Sequence, residues 1–341
     1  MSKPAILTAL LAAAGLAAAG TALAGGVTLN GSGSTLSKPF QEVAIDQFRK
    51  SNKGTTINYG GGGSGKGRQD LADMVVDFAG SDSPFKESEL AKAKGGPILY
   101  FPVLLSPIAV IYHLEGVDKL QLSAPTIAKI FQRTITKWND PAIAAENPGV
   151  KLPDAVITVA HRADGSGTTQ NFTEFLTEAA KGVWKLKSGS TVEWPADTQA
   201  GQGNAGVAQI VKSTKGGVGY VDLSDAKATG LKYASVKNRS GKYVEPTTAG
   251  ASAAGEGIDV KSNLVFSALD AKGEKAYPIT AQTWVIVYAK QTDRAKGEAL
   301  KAYLTFLVKD GQNLLGEIDY APLPKGLQAK ALAQVDKLKL P

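Results

Sequence analysis

The sequence predicts an α/β protein built on mainly parallel sheets. Short apolar strands alternate with amphipathic helices, and glycine and proline fall at the junctions; at 341 residues the chain is long enough for two domains or one large one. With 43% apolar and 20% charged residues the composition is globular. The net charge of +7 comes from 38 basic and 31 acidic side chains scattered along the chain. No block of like charges marks a nucleic-acid surface, and attraction of small anions accounts equally well for the sign. There is no cysteine and there are only 2 histidines. That excludes disulfide scaffolds, thiolate metal sites, cysteine nucleophiles and a lipid-modified N-terminal cysteine, and leaves little for any metal centre.

Taken in order, residues Met1 to Ala24 combine Lys3, an apolar run from Ala5 to Ala19 and the triplet Ala22-Leu23-Ala24 ahead of Gly25-Gly26. This is the pattern of a secretory signal cleaved after Ala24, although positions 4–24 are also about long enough for an uncleaved anchor. Helical spacing follows in Phe40, Val43, Ala44 and Phe48, then in Leu71, Met74, Val75 and Phe78, and again in Phe172, Phe175, Leu176 and Ala179. Strands are expected at Thr55–Tyr59, Pro107–His113, Ala155–His161, Gly217–Val221 and Thr283–Ala289. Breaks are expected at Gly60–Gly67, Gly95–Pro97, Asn147–Pro153, Gly201–Gly206 and Ala249–Gly257. The small-residue stretch Thr247–Gly255 reads as a flexible surface excursion.

Three strand–loop–helix junctions carry chemistry. Tyr59-Gly60-Gly61-Gly62-Gly63-Ser64-Gly65-Lys66-Gly67 lies between a strand and a helix, where glycines let backbone N–H groups approach an anion and the helix N-terminus supplies unpaired donors. It nearly matches a nucleotide-binding P-loop but has Gly67 where a magnesium-binding hydroxyl belongs; a ligand-free glycine turn is the plain alternative. His161-Arg162-Ala163-Asp164-Gly165-Ser166-Gly167-Thr168-Thr169 follows another strand. There Arg162 offers a fork of donors suited to a tetrahedral oxyanion, Ser166 and Thr168 offer hydroxyls, and Asp164 can brace the guanidinium. An ordinary helix cap beside a surface ion pair fits the same residues. Asn30-Gly31-Ser32-Gly33-Ser34-Thr35-Leu36-Ser37 repeats this chemistry, or is a Ser/Thr cap. Asp82, in Gly80-Ser81-Asp82-Ser83-Pro84 at the end of the expected Leu71–Phe78 helix, adds a carboxylate or is turn chemistry.

Other patterns fail. Gly201-Gln202-Gly203-Asn204-Ala205-Gly206 fits a dinucleotide fingerprint but follows no buried strand, so it reads as a helix start. No Gly-x-Ser-x-Gly elbow exists, and His161 and Ser166 lack a motif that would make them a hydrolytic pair. His113, at the end of an apolar strand, reads as structural.

Four segments in order, Gly31–Thr35, Asn58–Gly65, Asp77–Asp82 and Arg162–Thr168, resemble the periplasmic phosphate-binding proteins of PstS type. Lys137–Pro141, Gly189–Pro195, Gly217–Val221 and Tyr277–Thr280 agree with the same family. The resemblance implies a two-lobed type II periplasmic-binding-protein fold, each lobe a mainly parallel sheet flanked by helices, joined by two hinge strands crossing near Phe101–Pro107 and Ala276–Gln282. Residues 25–103 with 279–341 would form one lobe and residues 104–278 the other. It further implies that phosphate is held by Thr35, Leu36, Ser64, Asp82, Arg162, Ser166, Gly167 and Thr168, with Asp164 behind Arg162. The implied protein is an exported monomer, without cofactor, metal or enzymatic activity, that serves an inner-membrane ABC permease and binds no nucleic acid. Two departures stand out: Leu36 where relatives often carry Phe, and Lys66 where they often carry a small residue.

Overall fold

The computed structural model describes residues 26–341; the expected export signal, residues 1–24, lies outside them. The first part of the chain forms β1 (Val27–Gly33), α1 (Lys38–Ser51), β2 (Thr55–Gly60), α2 (Ser64–Ala72), β3 (Phe78–Ser81), α3 (Glu87–Leu90) and the 15-residue β4 (Ile98–Tyr112). Next come β5 (Gln121–Leu122), α4 (Ala124–Phe131), α5 (Pro141–Glu146), β6 (Thr158–Arg162), α6 (Gly167–Ala179), β7 (Gln199–Gly201), α7 (Gly203–Ser213), β8 (Gly217–Asp222) and α8 (Leu223–Thr229). The remainder is β9 (Lys232–Tyr233), β10 (Ser235–Lys237), β11 (Tyr243–Val244), α9 (Thr248–Gly255), β12 (Thr280–Tyr288), α10 (Arg294–Val308) and α11 (Lys325–Gln334).

The main sheet runs β2-β1-β3-β12-β4-β8-β6-β7. Strands β2, β1 and β3 are mutually parallel, as are β8, β6 and β7, while β12 and β4 run antiparallel to their neighbours at the centre. β4 belongs to both halves. It pairs with β12 from Ile98 to Pro107 and with β8 from Ile108 to Tyr112. The change of partner falls at Pro107, which has no N–H to give to a ladder. One residue of β4, Val103, bulges between the pairs Thr283↔Leu104 and Trp284↔Pro102. A bulge is where a strand accommodates proline, and here Gln312 Nε2 donates to the Val103 carbonyl at 2.7 Å.

Alternation along the central strands covers both faces. Ile108, Val110 and Tyr112 of β4 join the larger core with Phe131, Phe172 and Trp138, whereas Ala109 and Ile111 pack with Val207, Ala208 and Val211 of α7. On β12, Val285 and Val287 face the core that holds Phe40, Phe48 and Tyr303; Trp284 and Ile286 face Leu71, Ala251 and Leu327. Helices therefore sit on both sides of the sheet, the arrangement that parallel strands require.

Two expectations need correction. Leu71–Phe78 is not one helix: α2 ends at Ala72, Met74 takes φ 62°, and Phe78 begins β3. Met74 and Val75, which supplied the helical spacing, are 50% and 68% exposed, so no buried stripe links Leu71 to Phe78. Consequently Asp82 follows a strand and not a helix. Thr247–Gly255 is no loose excursion either. Thr247 caps α9 by accepting from Gly250 N at 3.0 Å, and Ala251 and Ala254 are buried against the sheet. The expected strand Pro107–His113 covers only the end of the 15-residue β4, which starts at Ile98 and stops at Tyr112; the apolar run before Pro107 does not alternate.

Candidate oxyanion site

Five strand ends meet at one place. The turns after β1, β2 and β3 face those after β6 and β7, and α1, α2, α6 and α7 start there. In such sheets the crevice beyond the carboxyl ends of parallel strands is where ligands bind, and each helix start presents N–H groups that have no carbonyl one turn earlier. The first turns of α2 and α6, at Ser64 and at Gly167 and Thr168, are of this kind.

Asp82 stands at the centre, 1% exposed. Its Oδ1 accepts from Ser34 Oγ at 2.6 Å and Thr283 Oγ1 at 2.7 Å, and its Oδ2 from Ser64 Oγ at 3.2 Å. Ser64 Oγ in turn accepts from the Asp82 N–H at 3.1 Å. Asn171 Nδ2 on α6 donates to the Asp82 carbonyl at 2.7 Å, which ties the two halves together beside the carboxylate. Burial pushes the Asp82 carboxyl above its ordinary range, and the Ser34 and Thr283 hydroxyls, the Arg162 charge and the Ser64 hydroxyl pull back against it.

Arg162, 5% exposed, is braced in its plane. Nε donates to Asp164 Oδ1 at 2.8 Å, Nη2 donates to Asp164 Oδ2, and Nη1 donates to Asn204 Oδ1 at 2.5 Å and more weakly to Thr168 Oγ1 at 3.4 Å. With five N–H groups on a guanidinium, one Nη2 proton and the weakly held Nη1 proton remain for a ligand. Burial works against ionisation of Asp164, but the Arg162 fork and the Gly203 N–H at 3.0 Å outweigh it and hold that carboxyl below the usual range. Ser166 caps α6, its Oγ accepting from Thr169 N at 3.0 Å. His161 is turned away, stacked on Trp194 with centroids 5.0 Å apart, and burial lowers its pKa.

Ser64, Asp82 and Gly167 are brought into direct apposition: a Cβ on Gly167 would lie 2.4 Å from Ser64 Oγ and 2.7 Å from Asp82 Cβ. Thr35 Oγ1 accepts from Asn204 N at 3.4 Å, which sets Thr35 beside the Arg162 brace and above a cleft cavity of about 520 Å³. Leu36 lies with its side chain in the core and its carbonyl accepting from Tyr320 Oη at 2.7 Å. Lys66 does not reach inward; it pairs with Asp70 at 2.6 Å and is 56% exposed. Among the described residues no group of three His, Asp or Glu side chains is placed to hold a metal ion.

The sequence assigns no role to several residues of the site, although Ser34, Asn204 and Tyr220 lie in segments it marks. Ser34 and Thr283 hold Asp82, Asn204 and Tyr220 hold Arg162, and Asn171 bridges the halves. Behind Asn204 lies Asp222, fully buried, whose Oδ1 accepts from Asn204 Nδ2 at 2.7 Å and whose Oδ2 lies 3.2 Å from Tyr320 Oη. Tyr320 has one hydroxyl proton, which favours the Leu36 carbonyl at 2.7 Å over Asp222 Oδ2 at 3.2 Å, and Asp225 N donates to the same Oδ2 at 3.4 Å. Burial first, and then the neighbouring Asp225, push the Asp222 pKa well up.

The comparisons with known proteins agree on this class. Residues 16–310 match the model of the PBP superfamily domain. The phosphate-binding protein PstS of Xylella fastidiosa (strain Temecula1) is 35% identical over 309 residues, 88% of this chain and 83% of that one. Phosphate-binding protein PstS 3 of Mycobacterium leprae is 38% identical over 314 residues, covering 89% and 85%. Among solved structures, the periplasmic phosphate-binding protein PfluDING, bound with phosphate, has the same fold, with a TM-score of 0.76 at 21% identity over 90% of this chain and 94% of its own. The chain belongs to the PBP superfamily and, within it, to the family of PstS phosphate-binding proteins.

Proposed function

We propose that this protein binds inorganic phosphate between its two half-sheets and delivers it to an ABC permease of the inner membrane, without catalysing a reaction. The observation that carries the reading is the buried Asp82 carboxylate facing the buried Arg162 guanidinium with no bond between them: Arg162 is braced by Asp164 instead. Such a pair suits an anion that still carries a proton. Phosphate as mono- or dianion accepts from Arg162 and donates its P–O–H to Asp82, whereas fully ionised sulfate would meet Asp82 with no proton between them. The hydroxyls of Thr35, Ser64, Ser166 and Thr168, with the N–H groups of Thr35, Leu36, Ser64, Gly167 and Thr168, would take up the other oxygens; Ser166 offers only its hydroxyl, because its N–H is given to the Ser190 carbonyl at 2.9 Å. Neutral donors of this kind disperse charge without a metal.

In this reading residues 25–103 with 279–341 form one lobe and 104–278 the other, and the pair β4 and β12 with the chain before Thr280 is the hinge on which they close. The protein acts as a monomer in the periplasm, its signal removed after Ala24; among the described residues no helix is long and apolar enough to cross a membrane. Calorimetric titration of residues 25–341, freed of carried-over ligand, tests the reading. One-to-one phosphate binding without a sulfate response at neutral pH is expected. Folded protein that ignores phosphate would overturn it.

A further inference from the structure

We propose that Ser34 and Thr283 are specificity-determining residues: by giving both their hydroxyl protons to Asp82 Oδ1 they leave Oδ2 as the single carboxylate oxygen able to take a proton from a bound oxyanion. The inference rests on the phosphate reading above.

The two hydroxyls have little choice of partner. Ser34 Oγ accepts from Ser37 N at 3.2 Å, which directs its proton to Asp82 at 2.6 Å. Thr283 sits on the fully buried β12, next to the bulge at Val103, and donates at 2.7 Å. A carboxylate oxygen has two lone pairs, and two donors fill them. Oδ2 has one partner, Ser64 Oγ, at the longer distance of 3.2 Å. Because Ser64 Oγ already accepts from Asp82 N, its proton is free to turn from Oδ2 to a ligand oxygen. Oδ2 is thereby released to accept one P–O–H.

The same bonds set the state of the carboxylate. Hydroxyl donors favour the ionised form and so oppose burial. The charged or titratable groups around Asp82 do not replace them. Arg162 from β6 is bonded to Asp164 and Asn204, Tyr59 from β2 donates to the Ser34 carbonyl at 3.0 Å, and Arg68 from α2 bonds Ser81 and Ser83 on either side of Asp82. Glu174 of α6 lines a cavity of about 260 Å³ shared with Asp82 and accepts from Gln170; Asp259 and Lys261 line the same cavity, and the Asp82 carboxylate is bonded by Ser34, Ser64 and Thr283 and by neither of them. Stripped of Ser34 or Thr283, Asp82 would take up a proton of its own at higher pH. It would then be a donor, and sulfate would no longer be excluded.

The test compares wild type with Ser34→Ala, Thr283→Val and Thr283→Ser by calorimetric titration with phosphate, and with sulfate in competition, from pH 5 to 8.5 at fixed ionic strength. Thermal unfolding of each variant checks folding. Sulfate binding is expected to set in at higher pH in Ser34→Ala and Thr283→Val, by roughly one pH unit in each. Thr283→Ser, which keeps the hydroxyl, is expected to follow wild type. A merely structural loss would weaken both anions at every pH without moving the onset. A sulfate response over the whole range identical to wild type in both hydroxyl-deleted variants, with phosphate still bound by wild type, overturns the inference. Should one deletion fail to fold, the other decides in the same way, with Thr283→Ser as the control for the threonine position. Failure of wild type to bind phosphate overturns the underlying reading instead.

Discussion

The backbone N–H of Gly65 donates to the carbonyl of Gly165 at 2.8 Å. Gly65 lies in the first turn of α2 and Gly165 in the loop before α6, so this bond joins the glycine-rich loops of the two half-sheets directly. The tight position is Gly65: a Cβ there would stand 3.1 Å from the Gly165 oxygen and 3.2 Å from its Cα, whereas a Cβ on Gly165 would make ordinary contact with Gly65 Cα at 3.4 Å.

Gly167→Ala should prop these loops apart, since its Cβ would strike Ser64 Oγ and Asp82 Cβ, both held in place by the carboxylate network. Phosphate affinity should fall by at least about ten-fold with little change in thermal stability, because closure and not folding is obstructed. Calorimetry with an unfolding scan checks this; wild-type affinity would show that the halves do not need to meet this closely.

Asp82→Asn should abolish discrimination against sulfate. The amide offers an N–H where the carboxylate offered only lone pairs, so sulfate gains a donor and phosphate loses its acceptor. A phosphate-to-sulfate affinity ratio equal to that of wild type would contradict the role given to Asp82.

Arg162→Lys keeps the positive charge but cannot span both Asp164 oxygens and Asn204 at once. The loss in phosphate binding should be about 2–5 kcal/mol, the range seen when a buried, hydrogen-bonded charge pair is broken. A loss below about 0.5 kcal/mol would mean that charge alone, and not the planar fork, is what the site uses.

Arg68→Met removes a buried guanidinium that donates to Glu89 Oε2 at 2.9 Å, Ser81 Oγ at 3.1 Å and Ser83 Oγ at 2.8 Å. Glu89 is partly solvated and can be rehydrated, so the cost should fall at roughly 2–3 kcal/mol, below that of a fully enclosed pair. Urea unfolding measures it.

Asp222 makes stability depend on pH in the direction opposite to a salt-bridged carboxylate. Its pKa is raised on folding, so between the ordinary carboxylate range and that higher value the folded chain binds more protons than the unfolded one. Stability from this group is present below the unfolded pKa and is lost as pH rises through the folded one. Asp222→Asn keeps an acceptor for Asn204 and supplies a donor to Tyr320 without titrating. The decline in melting temperature from pH 5 to 8 should therefore be shallower in the variant; parallel curves would remove Asp222 from the account.

The loops were readable from sequence because they are local. Glycine, serine and an arginine next to a helix start constrain one turn of chain, and Arg162–Thr168 forms such a turn, with Ser166 capping α6. What surrounds them is not local. Thr283 reaches Asp82 from 201 positions away and Asn204 reaches Arg162 from 42, placements decided by β12 lying next to β3 and by β7 pairing with β6. The Gly201–Gly206 segment reads correctly as a helix start, and α7 begins at Gly203, but that this helix aims Asn204 at the guanidinium depends on sheet order. The Leu71–Phe78 error has a related cause. A helix followed by a short strand produced an apolar spacing that happened to fit 3.6 residues per turn, and the turn over residues 73–77, with Met74 left-handed, separates them.

The position of β12 between β3 and β4 also has a consequence for the order in which the molecule is made. Residues 27–81 leave the ribosome early, yet the strand that closes their sheet onto β4 starts at Thr280. The half containing β6, β7 and β8 has all its strands, including β9, β10, β11 and the part of β4 that pairs with β8, once Val244 has been added. The later half in sequence can therefore be finished first, while the amino-terminal strands wait with an open edge that any passing extended chain could join.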